Sequence, residues 1–284
     1  MIIYKNFKSV KTALLVLLFA FSATQAAAWH VFFDLPKTLI EPNKVAFFKN
    51  IIGWSGISYT LGGNNPLELE KIVFDTLDSM GTQKVTPALL ARSHEERVLP
   101  QIFCDTLTST VPANSAIKQA KSQIKKLDKQ GFYNSRRQRK LVTKIVEAIF
   151  NPQALATNTS IISGGYDLVR LCKAHHGSNN IGIIANWDSA SFKILTEAEH
   201  TRQLMNHFDH HQVFISGSLQ QLLPNPICFE QTLKQLNLEA KNCIFVSGIK
   251  RHVEAAQNYG MKTVYINNGD YKSAKQDLEA LGAL

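Results

Sequence analysis

Asp34 closes the apolar run Trp29-His30-Val31-Phe32-Phe33, and Lys37 and Thr38 follow it within a few residues. Other polar positions have the same setting: Asn186 follows Ile181-Gly182-Ile183-Ile184-Ala185, Ser216 ends Val213-Phe214-Ile215, and Ser247 ends Cys243-Ile244-Phe245-Val246. If these runs are parallel strands, residues just beyond their carboxyl ends converge on one crevice. Asp34, Lys37, Thr38, Asn186, Ser216 and Ser247 are therefore the candidate site. A carboxylate in such a crevice can act as a nucleophile. Lys37 can clamp an anionic group or neutralise Asp34. The ion pair with Asp34 is the expectation, because a single charge cannot also protonate a leaving group.

A second group invites a metal reading. His207, Asp209, His210 and His211 carry imidazole and carboxylate donors, which are ordinary zinc or copper ligands. Adjacent residues rarely converge in tetrahedral geometry, so exposed histidines in a turn before the Val213 run are expected, and no metal site is assigned. Cys104, Cys172, Cys228 and Cys243 form no C-x-x-C. Cys228 and Cys243 lie in apolar contexts, which favours buried thiols over disulfides. Asn158-Thr159-Ser160 fits a glycosylation acceptor.

The elements that must position these residues can be read from periodicity. Runs rich in Ile, Val and Phe at 29–33, 160–163, 181–185, 212–215, 243–247 and 263–266 alternate with helical stretches such as 166–175, 227–237 and 250–259. That alternation predicts a parallel sheet flanked by helices. Between Leu39 and about residue 155 the pattern changes to helical stripes, Ala116, Ile117, Ala120, Ile124 and Leu127, then Leu141, Val142, Ile145, Val146 and Ile149. Gly62-Gly63-Asn64-Asn65-Pro66 breaks this insertion once.

In their order and spacing these runs resemble the haloacid dehalogenase (HAD) hydrolase superfamily. Residues 34–39, Asp-Leu-Pro-Lys-Thr-Leu, resemble its D-x-D-G-T-L signature, with Pro36 at the second aspartate and Lys37 at the glycine. Ala185-Asn186-Trp187-Asp188 is similar to S-N-W-D with the serine lost. Leu223-Pro224-Asn225-Pro226, with Phe229 beyond, resembles K-P-D-P…F with Leu223 for the lysine. Phe245-Val246-Ser247-Gly248 resembles F-V-D-D with both acids replaced. The dehalogenase branch fits Ser247 but not Leu223 or His252, which stand where that branch has lysine and aspartate.

The resemblance implies an α/β fold, a HAD-like Rossmannoid parallel-sheet core with an inserted helical cap. Its parts are a core of residues 29–40 and 156–284 and a cap of residues 41–155. Phosphoryl transfer onto a carboxylate needs a nucleophile, an acid/base, a metal and cations on the phosphoryl oxygens. Only Asp34 remains, as a vestigial or altered nucleophile; Pro36 has neither an ionisable atom nor an N–H. The expectation is a catalytically degenerate hydrolase-like protein acting by binding an anionic ligand or partner. Two alternatives stand beside it: a phosphomonoester-type hydrolase using Asp34 by an altered mechanism, and an interaction protein using the cap surface. No cofactor is expected, and magnesium enters only under the altered mechanism.

Composition sets the remaining limits. A chain of 284 residues, 45% hydrophobic, can bury an adequate core. Lys5, Lys8 and Lys11 precede the apolar stretch 13–21, which ends in Ala26-Ala27-Ala28. This is a secretory signal layout, so residues 1–28 are expected to be removed and the protein exported, periplasmic or secreted. The stretch is short for a membrane span, which needs about 20 residues, and no stable span is expected after cleavage. Without those lysines the formal charge falls from +9 to +6, still cationic. Lys118, Lys121, Lys125, Lys126, Lys129, Arg136, Arg137, Arg139, Lys140 and Lys144 cluster in the cap, where they could attract an anionic small molecule or polyanion. The competing reading is a solvated helix face. Phe132 and Tyr133 lie among them without any nucleic-acid-binding module.

Overall fold

The computed structural model describes residues 29–43, 72–73 and 101–284. The signal layout at 1–28 and the glycine break at 62–66 lie outside the described residues. The chain runs from β1 (His30–Phe33) and β2 (Ile40–Pro42) through α1 (Gln101–Leu107), α2 (Ala113–Lys129), α3 (Arg136–Phe150) and α4 (Pro152–Thr157) to β3 (Thr159–Ile161). Strands and helices then alternate: α5 (Ser163–His176), β4 (Ile181–Ala185), α6 (Ser189–Glu197), α7 (Glu199–Met205), β5 (Val213–Ile215), α8 (Ser216–Leu219), α9 (Ile227–Leu236), β6 (Cys243–Ser247), α10 (Lys250–Asn258), β7 (Lys262–Tyr265) and α11 (Tyr271–Ala280).

Five of these strands form a parallel sheet in the order β5-β4-β1-β6-β7. The central strands are apolar throughout because both sheet faces are covered. Alternation along each strand divides the core in two. Val31, Phe33, Ile181, Ile183, Ile244 and Val246 point to the side holding Leu168, Val169 and Leu278. Phe32, Ile184, Cys243 and Phe245 point to the side holding Phe229, Leu233 and Ala256.

The 160–163 run departs from the expected pattern: it gives the short strand β3, which pairs antiparallel with β2 instead of joining the main sheet. Ile40 faces Ile161 and Pro42 faces Thr159, so this ribbon ties together the two ends of the insertion. Its apolar side chains reflect packing at that neck. Ala156 of α4 is buried with the sheet-side core, so the material at this border packs with both units.

Within the insertion, α2 and α3 lay their predicted stripes against each other. Ala116, Ala120, Ile124 and Leu127 meet Leu141, Val142, Ile145, Val146 and Phe150 in a separate apolar cluster. Ser135 caps α3 by accepting a hydrogen bond from the Gln138 N–H at 3.1 Å. The outer faces carry the charge: Lys118, Lys121, Lys125, Lys126, Lys129, Arg136, Arg137, Lys140 and Lys144 are all exposed. Lys121 pairs with Glu147 and Arg139 with Asp128, so part of this charge is compensated locally.

Cys172, Cys228 and Cys243 are buried thiols outside any disulfide, and burial pushes each up to about 12. They are therefore inert packing groups. Asn158 is buried, and its amide nitrogen donates to the Ala154 carbonyl at 2.7 Å. Among the described residues no helix is long and apolar enough to cross a membrane.

Candidate functional site

Sheet register brings Asp34 and Ser247 together. Phe33 is the partner of Val246, so the next residues, Asp34 and Ser247, leave adjacent strands side by side. The Asp34 N–H continues the ladder to the Val246 carbonyl at 2.9 Å. The Asp34 side chain is fully buried. Its Oδ1 accepts from the Leu35 N–H at 2.8 Å, and its Oδ2 accepts from the Ser247 hydroxyl at 2.8 Å. The same Oδ2 lies 2.8 Å from His252 Nδ1. A carboxylate only accepts, so that imidazole nitrogen carries the proton.

His252 thus takes the place on Asp34 that the sequence reading gave to Lys37. Lys37 is exposed, at a left-handed turn with φ 59°, while His252 is about as buried as Asp34. The physical reason is reach. Lys37 bends away where the backbone reverses: the Thr38, Leu39 and Ile40 N–H groups all return to the Leu35 carbonyl. His252 sits in the first turn of α10, directly after the strand that carries Ser247. The signal in the sequence was a histidine at a fixed offset past a strand end, beside a lone acid on the neighbouring strand.

The loop carrying Thr38 is held from several sides. Gly248 N–H donates to Thr38 Oγ1 at 2.9 Å, and Thr38 Oγ1 donates to the Pro36 carbonyl at 3.2 Å. The Tyr271 hydroxyl donates to the Thr38 carbonyl at 2.8 Å. Burial, followed by the charge of Glu41, pushes the Tyr271 phenol up to about 12, which keeps it a donor. At Gly165 a Cβ would lie 2.1 Å from the Thr38 carbonyl oxygen, so only glycine allows this close approach.

The remaining candidates are also engaged by the protein itself. Asn186 clasps Leu223 reciprocally, donating to its carbonyl at 2.9 Å and accepting from its N–H at 2.8 Å. Ser216 donates to the Leu107 carbonyl at 2.8 Å and accepts from the Trp187 N–H at 2.9 Å, joining core to cap. Asp188 caps α6 by accepting from the Ser191 N–H at 2.9 Å. Leu223 is buried among Phe229 and Leu219, making an apolar contact where the resemblance places a lysine. The structure therefore unites Asp34 with Ser247, and Thr38 with Gly248, but gives Asn186 and Ser216 to separate structural contacts.

The fold matches solved structures. A HAD-family enzyme from Bacteroides thetaiotaomicron superposes with a TM-score of 0.51 at 14% identity, over 86% of this chain and 95% of that one. The chain has a HAD-like hydrolase fold. The magnesium complex of the same enzyme gives a TM-score of 0.51 at 13% identity, over 86% and 95% of the two chains. An L-2-haloacid dehalogenase from Xanthobacter autotrophicus, with chloropropionic acid covalently bound, gives 0.48 at 11% identity, over 89% and 83%. No family model matches the sequence, and no curated protein matches it. Likeness at this identity carries the scaffold; the site has to be argued from its own residues.

Those residues do not fit the magnesium that a HAD-like site implies. Magnesium is bound through carboxylates and waters in near-octahedral geometry. Here Ser247 and Gly248 supply no carboxylate, and both Asp34 oxygens already accept protein hydrogen bonds. A Cβ on Gly248 would lie 2.3 Å from the Lys37 carbonyl oxygen, so backbone occupies the space through which a side chain there would leave. The arrangement can hold a buried polar network together.

Proposed function

We propose that this chain is a HAD-fold protein whose hydrolase site is dismantled, and that it acts by binding an anionic partner through the basic face of its cap. The observation that carries this reading is the state of Asp34: the carboxylate is fully buried and shared among Leu35, Ser247 and His252. A nucleophile needs a free oxygen aligned on the reacting atom at about 3–3.5 Å. Support for the cap comes from the division of its helices, apolar inward and lysine or arginine outward.

Binding of heparin, used as a flexible polyanion, should be measured against salt. Affinity is expected to fall steeply, because screening acts within about 10 Å at 0.1 M. Reversing Lys125, Lys126, Arg136 and Arg137 to Glu should abolish it; all are exposed and outside the apolar cluster, so the fold should persist. Salt-insensitive binding, or binding that survives the reversals, would leave the basic face as ordinary solvated surface.

Export belongs to the same proposal and rests on the layout of residues 1–28. The mature chain should begin between residues 27 and 29, and the intact mass of envelope or secreted material reads this directly. A retained Met1 would replace cleavage with an uncleaved anchor.

A further inference from the structure

We propose that Asp209, His210 and His211 form a binding site for a divalent transition-metal ion of the zinc and nickel class, separate from the network around Asp34. Neighbouring side chains ordinarily diverge, and the sequence alone gave no reason to expect otherwise here. The local fold changes that. A short 3-10 helix, His210–Gln212, starts immediately after Asp209. Asp209 caps it, its Oδ1 accepting from the His211 N–H at 2.9 Å, and the same oxygen lies 3.2 Å from His210 Nδ1. The turn also brings the two imidazoles together, with ring centroids 3.7 Å apart.

One ligand atom from each residue lies within 4.8 Å of the other two. Zinc holds nitrogen and oxygen ligands at about 2.0–2.2 Å, so the donors need only close up modestly around an ion. The His210 side chain is 83% exposed, so solvent and not packed protein surrounds most of the group that would have to shift. Two imidazoles and one carboxylate select late first-row ions over magnesium or calcium, which prefer all-oxygen sets. Three protein donors leave a tetrahedral ion with an open position, the pattern of sites that accept an exogenous ligand. A pocket of about 270 Å³ adjoins the histidines, and Ser218 and Gln235 supply polar groups in its wall.

His207, the fourth member of the group in sequence, is not part of this site. It packs on Tyr166 with ring centroids 5.4 Å apart, its Nε2 3.4 Å from the phenol oxygen. The other vicinal pair, His175 and His176, has centroids 6.2 Å apart, and no carboxylate groups with it among the described residues.

The untagged full chain should be titrated calorimetrically with zinc chloride and with nickel chloride. One ion per chain is expected. Replacing both His210 and His211 with Ala should weaken binding by at least about 10-fold, equivalent to about 1.4 kcal/mol. Asp209→Asn keeps an oxygen for the cap while removing the charge, and should give a smaller but measurable loss. His175→Ala should bind as the parent does. The proposal is overturned if the parent binds neither ion, if the double variant binds as tightly as the parent, or if His175→Ala loses as much as the double variant. Should the double variant unfold, Asp209→Asn decides, and unchanged affinity there overturns the site.

Discussion

Offered phosphomonoesters and magnesium, the purified mature protein should turn over no faster than its Asp34→Asn variant. Loss of an acid/base group typically costs about 10²–10⁴ in rate, and loss of one electrostatic donor about 10²–10³. These groups act as a unit, so their costs do not simply multiply. Even the larger single term takes an enzyme working at roughly 10 s⁻¹ to about 10⁻³ s⁻¹. The structure adds a second reason: Asp34 is fully buried, and Leu35, Ser247 and His252 already share its carboxylate, which lowers its availability as a nucleophile. Continuous phosphate release is the measurement. Robust turnover, abolished in Asp34→Asn and retained in a surface variant such as Lys272→Ala, would establish the altered-mechanism hydrolase instead.

Much of the scaffold was legible because burial on both faces of a parallel sheet forces near-continuous apolar strands. The runs at 181–185 and 243–247 coincide with observed strands for that reason. The cap helices were legible for a related one: two amphipathic helices packed together need stripes at helical spacing. The 160–163 run shows the limit. Apolar content marks a residue as buried but does not say which strand it joins, and the pairing of Ile161 with Ile40 is a property of the neck.

The candidate site was legible by position and poorly legible by partner. Strand ends placed Asp34 and Ser247 together correctly, since register is fixed by the flanking core. Which cation would neutralise Asp34 depended on loop geometry. Lys37 is three residues away in sequence yet turned outward, whereas His252 is 218 residues away and in contact. Asn186 was placed near the crevice, but its amide is matched to the backbone of Leu223, a long-range contact that local pattern does not encode. The histidine turn was legible as exposed residues just before a strand, where His210 and His211 lie; the nearness of their donor atoms to Asp209 comes from the 3-10 turn and its side-chain cap, which residue type alone does not encode.

Asp34→Ala should destabilise the fold by about 3–5 kcal/mol, the range for breaking one partner out of a buried charged pair. Truncation strands the buried Ser247 hydroxyl and His252 imidazole, whose Nε2 already lacks a partner among the described residues. If the imidazole is neutral, unsatisfied groups cost about 1–3 kcal/mol each, leading to a similar total. Such a loss is a large fraction of the roughly 5–15 kcal/mol available to a native protein. Asp34→Asn should cost less. Its amide oxygen can still accept from the Leu35 N–H, Ser247 can turn to accept, and the imidazole can change tautomer. Urea unfolding of both variants gives the comparison, and the sign is as informative as the size. Active-site groups often trade stability for function, so that replacing them leaves a protein unchanged or stabilised. A stable or stabilised Asp34→Ala variant would mean that the carboxylate is held at a cost for some chemical task; a strong loss means that it has become a structural tie between β1, β6 and α10.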